Sequence, residues 1–530
     1  MTTVTPTRRP STVVVGRDGF PQLLRAEWTK LRTVRRWGFT LLAAVLVTLL
    51  ISLFSASSSG VEIAGGGSSA ATGPDGQSIR DDFTFVHRTL PADGSITARV
   101  TGPTGVRPDR APEWAKAGVI VKQNTQSGSD YAALMVTPGH GVRFQSDFTH
   151  DVAGGAASAS TPHWLRLTRK GATITAYASA DGRGWKKIGT TELAEQAGSV
   201  PVGLFVASPN VQSMERKFGN VSVNDGPSRS TARFDEVTVK GSDSGADWQR
   251  TDVGREAEGE QGKPGQSAGE PGAGKPGAGQ PDNGGQGQLT RSGGTFTLTG
   301  SGDIAPGTPV QPDLVATSLN GTQLGLVLIA ALGVLFITAE YRRGMIRTTF
   351  LASPRRGRVL VAKAVVISAV TFATGLVTAI ASFLLTMPVL RDNGHKPPLF
   401  PEFSLTDGPV LRALFGTAAL LALIAVLALG LGALMRNTAA AITTVVVVIV
   451  LPLILVSVLP LGLSQWLQRL TPVAGFAVQE STPRHHQVAS LCLPEDGCYP
   501  QGAWTGLATL AAYAVVVLGI AVWRIRKKDA

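Results

Sequence analysis

The sequence predicts an α-helical integral membrane protein with six transmembrane helices and an inserted all-β sandwich ectodomain. Three observations predict it. Only 16% of the 530 residues are charged while 43% are hydrophobic, a low charge content for a soluble chain. Apolar runs near the roughly 20 residues that cross a bilayer occupy Trp37–Phe54, Gly321–Ala339, Val359–Met387, Val410–Leu434, Ala439–Leu459 and Trp504–Trp523. Between the first two lie about 260 residues of different character, enough for a domain of their own.

Residues 1–20 are polar and broken by prolines, as expected of a loose cytoplasmic tail. Residues 21–56 read as an amphipathic interfacial helix and the first span. Leu23, Leu24, Trp28, Leu31 and Val34 share one arc of the wheel and Arg25, Arg32 and Arg36 another, with Glu27 and Arg35 intruding on the apolar side. A signal peptide is disfavoured, because 36 residues are long for the charged region that would precede its apolar run. Orientation follows from Glu340–Lys363, where Arg342, Arg343, Arg347, Arg355, Arg356, Arg358 and Lys363 lie between two apolar runs. Short basic loops stay inside. Both termini are then cytoplasmic and residues 57–318 extracytoplasmic, in a multi-pass protein of a bacterial cell membrane. The net charge of +12 fits a lipid surface better than a nucleic acid, because the basic residues gather beside span ends.

Within residues 57–318, runs such as GVIVKQ, WLRLTR, ATITAYAS, VGLFVAS and ARFDEVTV alternate and are broken by turn residues. They predict an antiparallel sandwich over about residues 80–255 plus 289–303, with Lys170-Gly171 as a two-residue hairpin turn. Residues 256–288 are Gly- and Pro-rich with almost nothing apolar, a disordered insertion after which GGTFTLTG returns to the sheet. Residues 319–530 form a five-span core. In it Leu463, Trp466, Leu467 and Leu470 make a helical stripe, while Ser464, Gln465, Gln468 and Arg469 face elsewhere, as in a short helix at the outer interface. Cys492 and Cys498 lie outside, where a disulfide closing CLPEDGC is permitted. With His485 and His486 they also offer zinc-ligand types, at irregular spacing.

No GxxxxGK[ST] phosphate loop occurs, since Gly262-Lys263 and Gly274-Lys275 are each followed by proline. The apolar runs carry almost no ionisable residue in their middles, unlike ion-coupled carriers. Asp235 and Glu236 are adjacent in a predicted strand, so they point to opposite faces and share no substrate. Trp164, Tyr177 and Trp185 could stack on a glycan or polymer, although aromatics in a sandwich are more often core. No catalytic set, metal site or cofactor is predicted.

Three blocks, LLRAEWTKLRTVRRW, Glu340–Lys363 and LGALMRNTAAAITTVVVVIVLPLIL, resemble bacterial ATP-binding-cassette permeases of the second, exporter-like type. The resemblance implies a non-catalytic membrane subunit of an ATP-driven exporter of unknown substrate. It implies a homodimer or pseudo-dimer and a separately encoded ATPase docked on Glu340, Arg342, Arg343, Gly344, Arg347, Pro354, Arg355 and Lys363. The insertion resembles a laminin-G or concanavalin-like sandwich, judged from HWLRLTRKGATITAYASADGRGWKKIG and ARFDEVTV. A reading from a different class makes the chain a membrane-anchored surface sensor that binds through this sandwich.

Overall fold

The computed structural model describes residues 19–59, 71–74, 76–193, 198–217, 220–241, 247–255, 287–307, 312–342, 356–397, 399–482, 485–488, 492–493 and 498–527. Two helices, α1 (Phe20–Thr33) and α2 (Arg35–Ser58), precede the strands. These are β1 (Ala71–Thr72), β2 (Ser78–Leu90), β3 (Asp93–Arg107), β4 (Lys116–Lys122), β5 (Tyr131–Thr137), β6 (Gly141–Ser146), β7 (His150–Gly155), β8 (His163–Lys170) and β9 (Thr173–Ser179). There follow β10 (Lys186–Glu192), β11 (Val200–Ala207), β12 (Val211–Lys217), β13 (Asn220–Gly226), β14 (Arg229–Lys240), β15 (Gln249–Val253), β16 (Gln288–Ser292), β17 (Thr295–Gly300) and β18 (Asp303–Pro306). The chain then enters α3 (Leu314–Ser318), α4 (Thr322–Arg342), α5 (Arg356–Asp392), α6 (Gly408–Met435), α7 (Thr438–Val456), α8 (Leu461–Leu470), a 3₁₀ helix (Pro472–Gln479) and α9 (Ala503–Lys527).

Alternation builds the sandwich. One sheet runs β10-β9-β8-β3-β14-β17-β16 and the other β1-β2-β11-β4-β5-β6-β7, with β15 and β18 also on β2. Leu165, Leu167, Ile174, Ala176 and Leu298 of the first meet Val119, Leu134, Phe144 and Leu204 of the second. Beyond the Gly- and Pro-rich insertion, β17 pairs β14 and β16; of that insertion, 256–286 lie outside the described residues. The hairpin turn is shifted by one residue. Lys170 pairs with Thr173, so the loop is Gly171-Ala172, with Gly171 at φ +59. Glycine takes that left-handed conformation without the strain a Cβ adds.

The centre of the second sheet is buried on both faces, which a sandwich does not require. Both β4 and β5 are buried throughout. Their outer face holds Ile120, Tyr131, Ala133 and Met135 beneath Phe148 and Ile304. Lys116 and Lys122 sit at opposite ends of β4, paired with Asp303 and Asp81 at 2.5 and 2.7 Å.

Six helices among the described residues are long and apolar enough to cross a membrane: α2, α4, α5, α6, α7 and α9. Their bounds match the six apolar runs to within a few residues. The central one is α6, which packs on α4, α5, α7 and α9 and is buried along most of its length. Small residues permit close approach: a Cβ on Gly333 of α4 would lie 2.5 Å from the Ala425 carbonyl of α6.

Candidate functional site

The sandwich meets the helices at a seam formed by long-range contacts. Asp147 and Phe148, between β6 and β7, both take positive φ, +50 and +63. This turns the Phe148 ring edge-on to Tyr131, centroids 4.9 Å apart. The Phe148 carbonyl accepts a 2.9 Å hydrogen bond from Gln487 Nε2, in the segment between the 3₁₀ helix and α9. Asp313 braces the helical side of the seam. Its carboxylate caps α3 through the Val315 and Ala316 amides and also accepts from the Ser481 amide and hydroxyl and the Thr482 amide.

Two clefts open along this seam. The larger, about 910 Å³, has one wall from the sandwich (Gly76–Ser78, Thr149, Pro306) and one from the helix ends (Leu399, Phe400, Arg412, Gln501). The smaller, about 440 Å³, gathers Trp114, His140, Arg143, Asp151, His485 and His486. Here the His140 ring stacks on Trp114 at 3.8 Å and the Arg143 guanidinium lies over the same indole at 5.7 Å. Arg143 is ion-paired with Asp151, which also accepts from Gln145 at 3.1 Å. Burial lowers the pKa of His140 and His485, which favours their neutral forms. The smaller cleft thus offers an aromatic floor, one paired cation and two imidazoles whose neutral forms are favoured.

Cys492 and Cys498 are joined as a disulfide, Cα atoms 5.2 Å apart. That removes the thiolates the zinc alternative needed, and no group of three or more metal-ligating side chains occurs among the described residues. Trp164, Tyr177 and Trp185 are not core. Because Leu165, Leu167, Ile174 and Ala176 take the inward positions of β8 and β9, Trp164 and Tyr177 fall half-buried on the outward face, and Trp185 lies half-buried in the turn after β9. Arg166 covers one face of Trp185 at 3.8 Å, and Trp164 packs against the Gly182 turn. Asp235 is bound by Arg99, while Glu236 takes φ +50 at a register break rather than continuing the alternation.

Of the basic-loop residues, Arg343, Gly344, Arg347, Pro354 and Arg355 lie outside the described residues. Arg342 ends α4, exposed. Among the described residues, Glu340 pairs with two lysines. Lys363 of α5 donates to Glu340 Oε1 at 2.7 Å and to Glu27 Oε2 of α1 at 2.5 Å, and Lys30 reaches both acids at 2.7 and 3.1 Å. Glu27, which interrupts the apolar arc of α1, is thereby buried at 2% exposure.

No curated protein matches the chain. Residues 106–226 match a family described as "Protein of unknown function (DUF1349)", a concanavalin-like sandwich family. Similar solved structures include a mutant of the GH43 protein BlXynB from Bacillus licheniformis, at 16% identity over 22% of this chain and 24% of that one, TM-score 0.17. This chain therefore spans about a quarter of that protein's length. Others are a functionally unknown protein from Saccharomyces cerevisiae (16% identity, 31% and 72% covered, TM-score 0.19) and SCP-B of the Eqolisin family of peptidases (11%, 42% and 98%, TM-score 0.24). The family match corrects the permease resemblance: it falls within the strands, at residues 106–226, and nothing found supports an ATP-binding-cassette transporter. The physical reason is that basic residues flanking apolar runs are demanded of any multi-span protein, so the three blocks carry topology rather than family. The expected ATPase and dimer rested on that resemblance alone.

Proposed function

We propose that the chain is a membrane-anchored cell-surface binding protein in which six helices cross the bilayer and ligand engagement at the sandwich is passed to them through the seam. The observation that carries this reading is the seam itself, where Gln487 holds the Phe148 carbonyl and both clefts take walls from sandwich and helices. Membrane crossing is supported by what the helices leave uncovered. Phe39, Leu42, Leu46, Leu50 and Phe54 form one exposed stripe along α2, a surface that water disfavours and acyl chains accept. Charge is asymmetric too: Arg35, Arg342, Arg358, Arg436 and Arg524 all lie at helix ends of one parity, which the positive-inside rule assigns to the cytoplasm.

The test is side-specific labelling in intact cells, using exposed positions on α1 and in the β9–β10 turn. Ala180→Cys should react with an impermeant maleimide, and Thr29→Cys only after permeabilisation. Reaction of both from one side would sink the reading.

A further inference from the structure

The larger seam cleft combines an apolar wall with stranded polar atoms. Leu314, Leu399, Phe400, Phe403 and Pro409 supply the wall. Around it, Arg412 Nε, Gln501 Nε2, and Gln77 Nε2 and Oε1 are buried without a hydrogen-bond partner among the described residues. Each such group costs stability unless something fills its hydrogen-bonding capacity, and the volume lies within the roughly 300–1,000 Å³ of small-molecule sites. Three of the four atoms are donors, so the missing partner is rich in acceptors. Arg412 brings a full charge, and its guanidinium is oriented by the 2.5 Å bond from Nη2 to the Glu480 carbonyl. Glu402 and Glu480 also line the cleft and would repel a doubly charged head.

We propose that this cleft binds a monoanionic amphiphile, a single acyl chain ending in a carboxylate-like oxyanion, with the head on Arg412, Gln501 and Gln77 and the chain along Leu399 and Phe403. This deepens the surface-binding reading and rests on it for the side from which ligand arrives. Because the cleft is walled by both sandwich and helices, an occupant touches both.

The experiment is equilibrium binding of radiolabelled oleate to the full chain in phosphatidylcholine nanodiscs, with oleyl alcohol and acetate as competitors. Saturable binding is expected, resisting acetate and displaced by oleyl alcohol only at concentrations about tenfold or more above those of oleate, the scale of one charge-assisted hydrogen bond. Arg412→Lys, which keeps the charge but removes Nε–H, should weaken binding about tenfold, and Leu399→Trp should weaken it by filling the chain's path. Gln501→Leu gives a second head variant if Arg412→Lys melts early. Adding lysophosphatidylglycerol, a single-chain monoanionic lipid, separates the two sources of such a head: competition means that a membrane lipid fills the site, and no competition means that free carboxylate does. Uptake no greater than by empty nanodiscs, or affinity unchanged in both head variants, overturns the proposal. Loss of oleate binding with labelling of Ala180→Cys and Thr29→Cys as expected sinks this inference alone, whereas intact binding with failed labelling sinks the surface reading alone.

Discussion

Single charges in this chain are placed where their removal should have sharply different consequences. Lys122 and Asp81 are fully buried against each other, and burial pushes the Asp81 carboxyl up and the Lys122 ammonium down while each partner opposes that shift. Removing one partner leaves an uncompensated charge. Lys122→Met should therefore destabilise the sandwich by about 3–5 kcal/mol in urea unfolding, and adding Asp81→Asn should recover part of the loss, because the Gly128 amide still bonds that side chain. The same logic ranks the lysines of the α1–α4–α5 cluster. Lys363 is 1% exposed and Lys30 37%. Lys363→Met should cost about 3–5 kcal/mol, Lys30→Met under about 1 kcal/mol, measured as loss of folded protein on heating in nanodiscs. Equal effects would mean that Lys363 is better hydrated than its burial implies.

At the scale of elements, the readable parts were those encoded locally. Twenty apolar residues in a row specify a helix wherever they sit, so Gly321–Ala339 anticipated α4 and Trp504–Trp523 anticipated α9. Alternation likewise announced β8, β9 and β11. Strands without it escaped notice: β15, QRTDV, is positioned by its ladder with β2 rather than by its own pattern. The seam escaped because its partners are 339 residues apart, although Glu27 on the apolar arc of α1 was a visible sign of a buried partner, 336 residues away. The helix α8 was legible in pattern, and its packing is that of a helix whose apolar stripe meets something other than this chain. Its stripe faces out, with Leu463, Trp466 and Leu470 more than half exposed, while Ser464 and Gln468 are buried and Ser464 donates to the Val456 carbonyl. In the proposed membrane, Trp466→Gln should leave the fold intact but weaken seating at the interface, whereas Ser464→Leu should unfold the α7–α8 corner; limited proteolysis separates the two. The sandwich makes a further prediction. A fragment of residues 78–303 loses Ile304, whose carbonyl accepts from Lys116 at 2.6 Å, so a fragment of 71–307 should be soluble, β-rich and the more resistant to urea. A 78–303 fragment of equal stability would show that β18 is dispensable.

Across the whole molecule, the proposed reading requires that the sandwich and helices move together, and one side chain bears much of that requirement. Gln487 is 4% exposed and donates to Phe148 at 2.9 Å and Thr149 at 3.4 Å. Its acceptors sit in a turn whose two positive-φ residues are unfavourable for bulky side chains and persist only where surroundings over-determine them. Supports come from both sides: within the sandwich the Phe148 ring packs on Tyr131 and the Asp147 amide donates to the Tyr131 carbonyl at 3.4 Å, and outside it lies the bond from Gln487. Their separation is testable. Gln487→Leu keeps approximate volume and removes the donor, leaving the Phe148 carbonyl unpaired at a cost of about 1–3 kcal/mol. If the seam holds the turn, amide hydrogen exchange across residues 147–150 should rise tenfold or so, the factor that 1.4 kcal/mol sets, while exchange in β4 and β5 and in α6 stays unchanged, because those cores do not depend on this bond. Exchange unchanged at 147–150 would mean that the sandwich's own contacts fix the turn. The sandwich would then rest against the helices without being held by Gln487, and transmission through this contact would fail.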